Sequence, residues 1–232
     1  MILVPQNTNR SAVLRGIIFI LLALFLVSLL GTTTVLHFFG LTKINPTLFF
    51  FSRILYWISA ALLWLYAIKI EKQPLLIWKE TKYNLLFYVK IIFTIYLGLF
   101  LGLYILKILL SLTGLLSKSD KMSELTVFFL NSKLLLVFTA LTAGVIEELI
   151  FRGYLLPRFE AIFKNHWIAI SISSLLFGLL HYRYGTIVNV AGPVFIGFVF
   201  GYFYWRFRNI KILIIAHFLW DIIALLLLIN QK

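Results

Sequence analysis

The sequence predicts an all-α fold: a polytopic transmembrane helical bundle of about seven spans, with a polar cavity inside the membrane. Of the 232 residues, 62% are hydrophobic and only 12% are charged, a composition too apolar for a soluble globular domain. Apolar runs of about 20 residues recur along the whole chain, and each is long enough to cross a hydrocarbon core about 30 Å thick. Acidic and histidine residues lie deep within several of the later runs.

The predicted spans follow the apolar runs in order. They cover residues 14–37, 47–69, 84–110, 126–158, 167–187, 190–206 and 210–230, and the inner end of the fourth helix extends past the bilayer. We divide the chain into N-terminal transmembrane helices, residues 1–125, and a helical core, residues 126–232, because the polar motifs described below lie only in the second part.

The basic residues predict an orientation rather than nucleic-acid binding. The net charge is +13, but the Lys and Arg side chains lie in short loops and form no continuous basic face. Alternate loops place Arg10, Arg15, Lys69, Lys72, Lys79, Lys82, Arg158, Lys164, Arg206, Arg208 and Lys211 on one side, and Lys43, Lys118, Lys121, Arg183 and Lys232 on the other. The positive-inside rule therefore predicts a cytoplasmic N-terminus and an external C-terminus.

Five acidic or histidine residues lie at depth inside predicted spans and are the candidate functional residues. They are Glu147, Glu148, His181, His217 and Asp221. A charge at membrane depth is costly, so such residues indicate function by default. Because the chain has no cysteine, thiolate chemistry is excluded, and catalysis or metal binding would depend on His, Asp and Glu.

The spacing of the acidic pair predicts separate roles for its two members. Glu147 and Glu148 are neighbours, about 100° apart around an α-helix, so both cannot point equally at one site. Glu148 and Arg152 have the i, i+4 spacing of a helical ion pair, with the acid first. Glu147 is then the freer carboxylate. A low-dielectric pocket disfavours the charged form of a carboxylate, which suits it to take a proton from water, and Glu147 is the candidate base.

Two further i, i+4 pairs predict polar faces on other helices. His217 and Asp221 face the same way on the last span, and Phe177 and His181 have the same spacing on the fifth. At 1.5 Å per residue, these groups and Glu147 lie at similar depths in the inner half to the middle of the bilayer. We therefore expect three helices to converge on one cavity.

Three motifs give the chain a family resemblance. They read Glu-Glu-Leu-Ile-Phe-Arg at 147–152, Phe-Gly-Leu-Leu-His at 177–181 and His-Phe-Leu-Trp-Asp at 217–221. In this order they resemble E-E-x-x-x-R, F-x-x-x-H and H-x-x-x-N/D of the CPBP family, the CAAX proteases and bacteriocin-processing enzymes, also called the Abi family of intramembrane proteases. The resemblance covers roughly residues 130–230, and the first three spans carry none of it.

The resemblance implies an intramembrane endopeptidase with a catalytic cavity. It implies that Glu147 and His181 activate water, with Glu148 in the same site, while His217 and Asp221 support the oxyanion or a metal; Arg152 and Phe177 are supporting residues. An ionised Asp accepts hydrogen bonds but cannot donate them to an oxyanion as Asn would. Asp221 must therefore be protonated, orient His217 or bind a cation.

The resemblance leaves the cofactor open. The family is usually classed as metallopeptidases, and two His with one Glu form a known catalytic zinc set, so Glu147, His181 and His217 are predicted ligands for Zn²⁺ or another divalent metal. A metal-free mechanism with Glu as base is the alternative. The expected partners are a peptide or membrane-protein substrate and the lipid bilayer, in a bacterial cell membrane.

Two other function classes fit a polar site inside a membrane. One is a noncatalytic bacteriocin-immunity or scaffold protein that keeps the fold. The other is a proton-coupled transporter, because chains of buried Glu, His and Asp also relay protons. The sequence shows no inverted repeat, and its polar residues cluster at one site, which argues against transport.

Overall fold

The computed structural model describes residues 10–30, 36–37, 40, 44–117 and 119–230, and within them the chain is helical with no strand. Lys43, Lys118 and Lys232, which entered the charge comparison, lie outside the described residues. The chain divides into two compact units, Met1–Ile77 and Trp78–Lys232. The division predicted at residue 125 rested on the positions of the motifs alone.

The described residues of the first unit include two long helices, α1 (Arg10–Leu29) and α2 (Pro46–Tyr66), and α2 continues into a π-helical turn, Ala67–Glu71. Asn45 caps the start of α2, because its side-chain oxygen accepts a hydrogen bond from the backbone N–H of Leu48 at 2.8 Å. The Tyr66 hydroxyl donates to the carbonyl of Ala12 at 2.8 Å and so ties the two helices together.

The second unit contains the three motifs. Its helices are α3 (Leu85–Leu112), α4 (Asp120–Asn131), α5 (Lys133–Phe163), α6 (His166–Leu179), α7 (Val188–Phe207) and α8 (Ile210–Ile229). Across the described part of the chain, six helices are long and apolar enough to cross a membrane: α1, α2 with its π-helical turn, α3, α5, α7 and α8. The fold is therefore the predicted all-α polytopic bundle.

Helix α6 is shorter than the span predicted over residues 167–187. It has 14 residues, or about 21 Å, against a hydrocarbon core of about 30 Å. It nevertheless runs antiparallel along α7, from a stack of His166 on Trp205 at one end to the contact of Gly178 with Val194 at the other. The helix ends at Leu179, short of the predicted bound, and a turn follows it.

The fourth predicted span, residues 126–158, is also different in the structure. Ser132 has extended backbone angles, φ −145° and ψ 98°, and separates the 12-residue helix α4 from α5. Its hydroxyl caps α5 by accepting from the backbone N–H of Leu135. A serine that can cap a new helix gives the chain a break that hydropathy does not reveal.

Two connections of the same type join α5 to α6 and α7 to α8. Each consists of a basic residue in the left-handed region, Lys164 (φ 54°) or Arg208 (φ 50°), followed by Asn165 or Asn209. The basic residue ends one helix, and the Asn side chain caps the next. These two-residue turns hold successive helices side by side.

The start of α8 is held by the segment before α3. The Glu80 carboxylate accepts hydrogen bonds from the backbone N–H of Ile210 at 2.7 Å and from the Tyr204 hydroxyl at 3.0 Å. Burial raises the pKa of the Glu80 carboxyl above its ordinary value of 4.5, against the opposing effects of these two hydrogen bonds and of Lys211. Glu80 thus fixes the helix that carries His217.

Candidate active site

The first motif lies where α5 departs from α-helical geometry. Two π-helical segments, Ala143–Glu147 and Leu149–Leu155, flank Glu148. A π-helix has wider turns than an α-helix, and such segments within α-helices are frequent at functional sites. Successive side chains are therefore rotated by less than the α-helical angle, and this geometry brings Glu147 and Glu148 to the same partner, His217. The two carboxylates nevertheless approach different nitrogens of the ring, Glu148 at Nδ1 and Glu147 at Nε2, and their separate roles stay a prediction.

Glu148 is the buried centre of the site. Its Oε1 atom accepts a hydrogen bond from Arg152 Nη1 at 2.8 Å and lies 2.7 Å from Nδ1 of His217. The side chains of Glu148 and Arg152 are 0% and 1% exposed. The predicted i, i+4 ion pair is thus present, and it is sealed from solvent. Charge-assisted bonds of this kind are short and strong in a low dielectric.

The position of Glu148 fixes the orientation of His217. A carboxylate only accepts hydrogen bonds, so Nδ1 of His217 carries the proton of this contact. The other ring nitrogen, Nε2, lies 3.9 Å from Oε2 of Glu147 and 3.8 Å from Oδ1 of Asp221. These two carboxylates are 18% and 27% exposed, whereas the His217 side chain is 5% exposed. Nε2 therefore faces the accessible edge of the site.

Two aromatic rings enclose the buried ion pair. The guanidinium carbon of Arg152 lies 4.5 Å from the ring centroid of Phe177 and 5.5 Å from that of Phe200. The same two rings present their edges and faces to His217 at centroid distances of 6.0 and 5.5 Å. Cation–π contact stabilises the charge of Arg152. Glu148 Oε2 and Arg152 Nη2 have no hydrogen-bond partner among the described residues.

His181 approaches this cluster through Phe177. It lies just past the end of α6, and its Nδ1 atom is 3.0 Å from the carbonyl oxygen of Phe177. A carbonyl only accepts, so Nδ1 donates, and Nε2 is the acceptor nitrogen of the neutral ring. The Phe177 ring lies 5.1 Å from the His181 ring and 6.0 Å from the His217 ring. The structure thus brings together Glu147, Glu148, Arg152, His217 and Asp221. The Phe177 ring contacts both His217 and His181, and it connects His181 to this cluster.

The arrangement does not by itself form a metal site. Among the described residues, no group of three or more His, Asp or Glu side chains is placed to hold a metal ion. The Nδ1 atoms of His217 and His181 bond Glu148 and the Phe177 carbonyl. These contacts orient the rings and leave Nε2 of each as the nitrogen that could bind a metal. The metal with ligands Glu147, His181 and His217 stays a prediction.

The site also depends on a residue that the motifs do not contain. Gly144 lies one turn before Glu148 on α5, where α8 crosses. A Cβ atom at Gly144 would lie 2.8 Å from the backbone nitrogen of Phe218, the residue after His217. Only glycine allows the two backbones to approach so closely. A glycine one turn before an intramembrane Glu pair was the only sequence signal for this contact.

A second unpredicted residue fixes α6 against the π-helical part of α5. The Ser173 hydroxyl donates to the carbonyl of Phe151 at 2.9 Å, and the Ser173 residue is 3% exposed. A hydroxyl that satisfies a backbone acceptor between helices supports packing in a membrane. Ser173 thereby holds Phe177, one turn along α6, against the site.

Comparison with known proteins agrees with the geometry. The family model for "Rce1-like: Type II CAAX prenyl endopeptidase Rce1-like" matches residues 129–223. This region begins in α4, ends in α8, and contains all three motifs. No curated protein and no solved structure matches the chain significantly.

The match covers less than half of the chain, but it includes every residue of the cluster around His217. The matched family consists of endopeptidases, and the helices that carry the cluster, α5 and α8, are candidate membrane spans. The match therefore supports an intramembrane endopeptidase. Residues 129–223 are therefore similar to the Rce1-like CAAX protease family, in agreement with the resemblance that the three motifs carry.

Proposed function

We propose that this protein hydrolyses a peptide bond inside the membrane, with Glu147 as the general base. The observation that carries the proposal is the contact of one imidazole with three carboxylates. His217 is fixed through Nδ1 by buried Glu148, while Nε2 faces Glu147 and Asp221 at the accessible edge. A fixed imidazole beside a more accessible carboxylate supports proton transfer and stabilisation of developing charge.

The proposed reaction uses water as the nucleophile. Glu147 takes a proton from water as the water oxygen forms a bond to the carbonyl carbon of the substrate. Negative charge then develops on the carbonyl oxygen, and His217 in its protonated form donates to it through Nε2. The intermediate collapses when the C–N bond breaks and Glu147 passes its proton to the leaving nitrogen.

The remaining polar residues have positioning and activating roles in this proposal. Arg152 holds Glu148, and Glu148 holds His217, as their short contacts suggest. Asp221 lies 3.8 Å from Nε2 of His217, and it orients the ring as an acceptor rather than donating to the oxyanion. His181 shares the activation of water with Glu147 through Nε2.

The proposed substrate is a peptide or membrane protein whose cleavage site reaches the polar cavity from the bilayer. The matched family is described as prenyl endopeptidases, so a prenylated peptide with a CAAX terminus is the first substrate class to test. A prenyl group adds apolar surface that partitions into the bilayer. This partitioning raises the local concentration of the peptide near the site.

The test uses purified protein reconstituted in lipid vesicles. A fluorogenic prenylated CAAX peptide and a broad peptide library serve as substrates, and mass spectrometry identifies the fragments. We expect the wild type to cleave and Glu147→Gln to be inactive. Glu124→Gln is the matched control, because Glu124 is exposed on α4. Folded wild-type protein that produces no fragment sensitive to Glu147→Gln would refute the proposed function.

A further inference from the structure

Helix α3 contacts α8 beside the site, although α3 lies outside the matched residues 129–223. The hydroxyl of Tyr96 on α3 donates a hydrogen bond to the carbonyl oxygen of Ala216 at 2.8 Å. Ala216 is fully buried and directly precedes His217. A carbonyl oxygen has two lone pairs, so it can accept from Tyr96 in addition to a bond within its own helix.

A second contact repeats this pattern one turn further along both helices. The ring of Trp220 lies 5.8 Å from the ring of Tyr96 and 5.3 Å from that of Phe100. Trp220 directly precedes Asp221. Tyr96 and Phe100 are four residues apart on α3, as the two contacted residues are on α8, so each pair lies on one helical face. The contacts of α3 thus fall on the residues before His217 and Asp221.

The physical consequence is control of the rotation of α8 about its axis. Between membrane helices the hydrophobic effect supplies little driving force, so packing and interhelical hydrogen bonds set orientation. A side-chain atom about 6 Å from the helix axis moves by about 1 Å when the helix rotates by about 10°. A displacement of that size can reduce a catalytic rate by about a hundredfold.

We propose that Tyr96 is a positioning residue that fixes the rotation of α8 and thereby directs His217 and Asp221 towards Glu147. The Tyr96 hydroxyl performs this positioning, because it bonds the backbone of α8 at the residue next to His217. The inference rests on the proposed function for its effect on rate. Its effect on His217 itself does not depend on activity.

The test compares Tyr96→Phe, which removes only the hydroxyl, with Tyr104→Phe. Tyr104 lies on the same helix, is 66% exposed, and serves as the matched control. We expect Tyr96→Phe to lower kcat roughly 10- to 100-fold with KM unchanged, while thermal unfolding in detergent remains cooperative. Tyr104→Phe should keep the wild-type kcat.

A second readout is the NMR spectrum of protein labelled at histidine. We expect the ring resonances of His217, assigned with a His217→Gln variant, to shift in Tyr96→Phe and to stay in place in Tyr104→Phe. Unchanged His217 resonances together with an unchanged kcat would overturn the proposal. If the wild type cleaves nothing, the proposed function fails, and the His217 resonances alone decide whether Tyr96 positions this ring.

Discussion

The close crossing of α5 and α8 at Gly144 gives the sharpest structural prediction. In Gly144→Ala, the new Cβ would lie 2.8 Å from the backbone nitrogen of Phe218, whereas ordinary contact begins at 3.4 Å, so the helices must separate by about 0.6 Å. Nδ1 of His217 lies 2.7 Å from Oε1 of Glu148. If the helices separate along this hydrogen bond, the distance grows beyond the 2.7–2.9 Å of a charge-assisted bond.

Two energetic terms follow from this displacement. Overpacking in a close interface costs about 1–3 kcal/mol, and weakening a buried hydrogen bond to a charged group costs up to about 1.5–3 kcal/mol. We therefore expect Gly144→Ala to unfold at a clearly lower temperature in detergent. Because His217 moves away from Glu147, cleavage should fall by roughly 10- to 100-fold.

The matched control is Gly98→Ala on α3, where a Cβ atom would meet nothing within 4 Å. Alanine is the better helix former of the two residues, so Gly98→Ala should keep or slightly raise the unfolding temperature and should keep activity. Both variants are measured by thermal unfolding and by peptide cleavage in vesicles. If Gly144→Ala matches Gly98→Ala in both assays, the close approach of α5 and α8 does not hold the site.

Three further predictions test the buried pair, the start of α8 and the topology. Glu148→Gln should destabilise the protein by about 3–5 kcal/mol because Arg152 loses its buried partner, while Glu147→Gln should unfold like the wild type; equal losses would contradict this division. Because the pKa of Glu80 is raised in the folded protein, protonation of this carboxyl stabilises the fold. This contribution to the free energy of unfolding is present at low pH and is lost as the pH rises through the folded-state pKa. As the pH falls from about 7 towards 4.5, the unfolding temperature of the wild type should therefore rise relative to that of Glu80→Gln. A difference in unfolding temperature that does not change with pH would refute this. With α6 counted as a seventh crossing beside the six candidate spans, reporter fusions should place the N-terminus in the cytoplasm and the C-terminus outside. A cytoplasmic C-terminus would mean that α6 does not cross the membrane.

Sequence reasoning was strongest where helical spacing decides geometry. The Glu148–Arg152 pair was predicted from an i, i+4 spacing, and it is present. His217 and Asp221 were expected on one face of the last helix, and Nε2 of His217 lies 3.8 Å from Oδ1 of Asp221. Both predictions need only the periodicity of a helix and the cost of an unpaired charge at depth.

The sequence was weaker where tertiary contacts change the local backbone. The π-helical segments around Glu148 bring both acidic residues to His217, whereas α-helical spacing separates them. Helix α6 ends at Leu179, so His181 lies in the turn that follows and not on a span. Neither feature has a strong local signal, because neighbouring helices decide which backbone hydrogen bonds form.

The three motifs did not predict the contacts between helices. Gly144 and Tyr96 contribute through the backbone of α8, at Phe218 and Ala216. A contact with a backbone atom does not require a particular side chain on α8. Such contacts leave no paired pattern in one sequence, and they become visible only when the helices are packed together.

The most direct test of the central claim is a double-variant measurement on Glu147 and His217. Peptide hydrolysis in vesicles is compared for the wild type, Glu147→Gln, His217→Gln and the variant with both changes. Residues that act as one unit give non-additive losses, so each single variant should lose most of the activity and the double variant should be hardly slower than either. Losses that multiply would show that the two residues act separately and would contradict a joint role in activating water and stabilising the oxyanion.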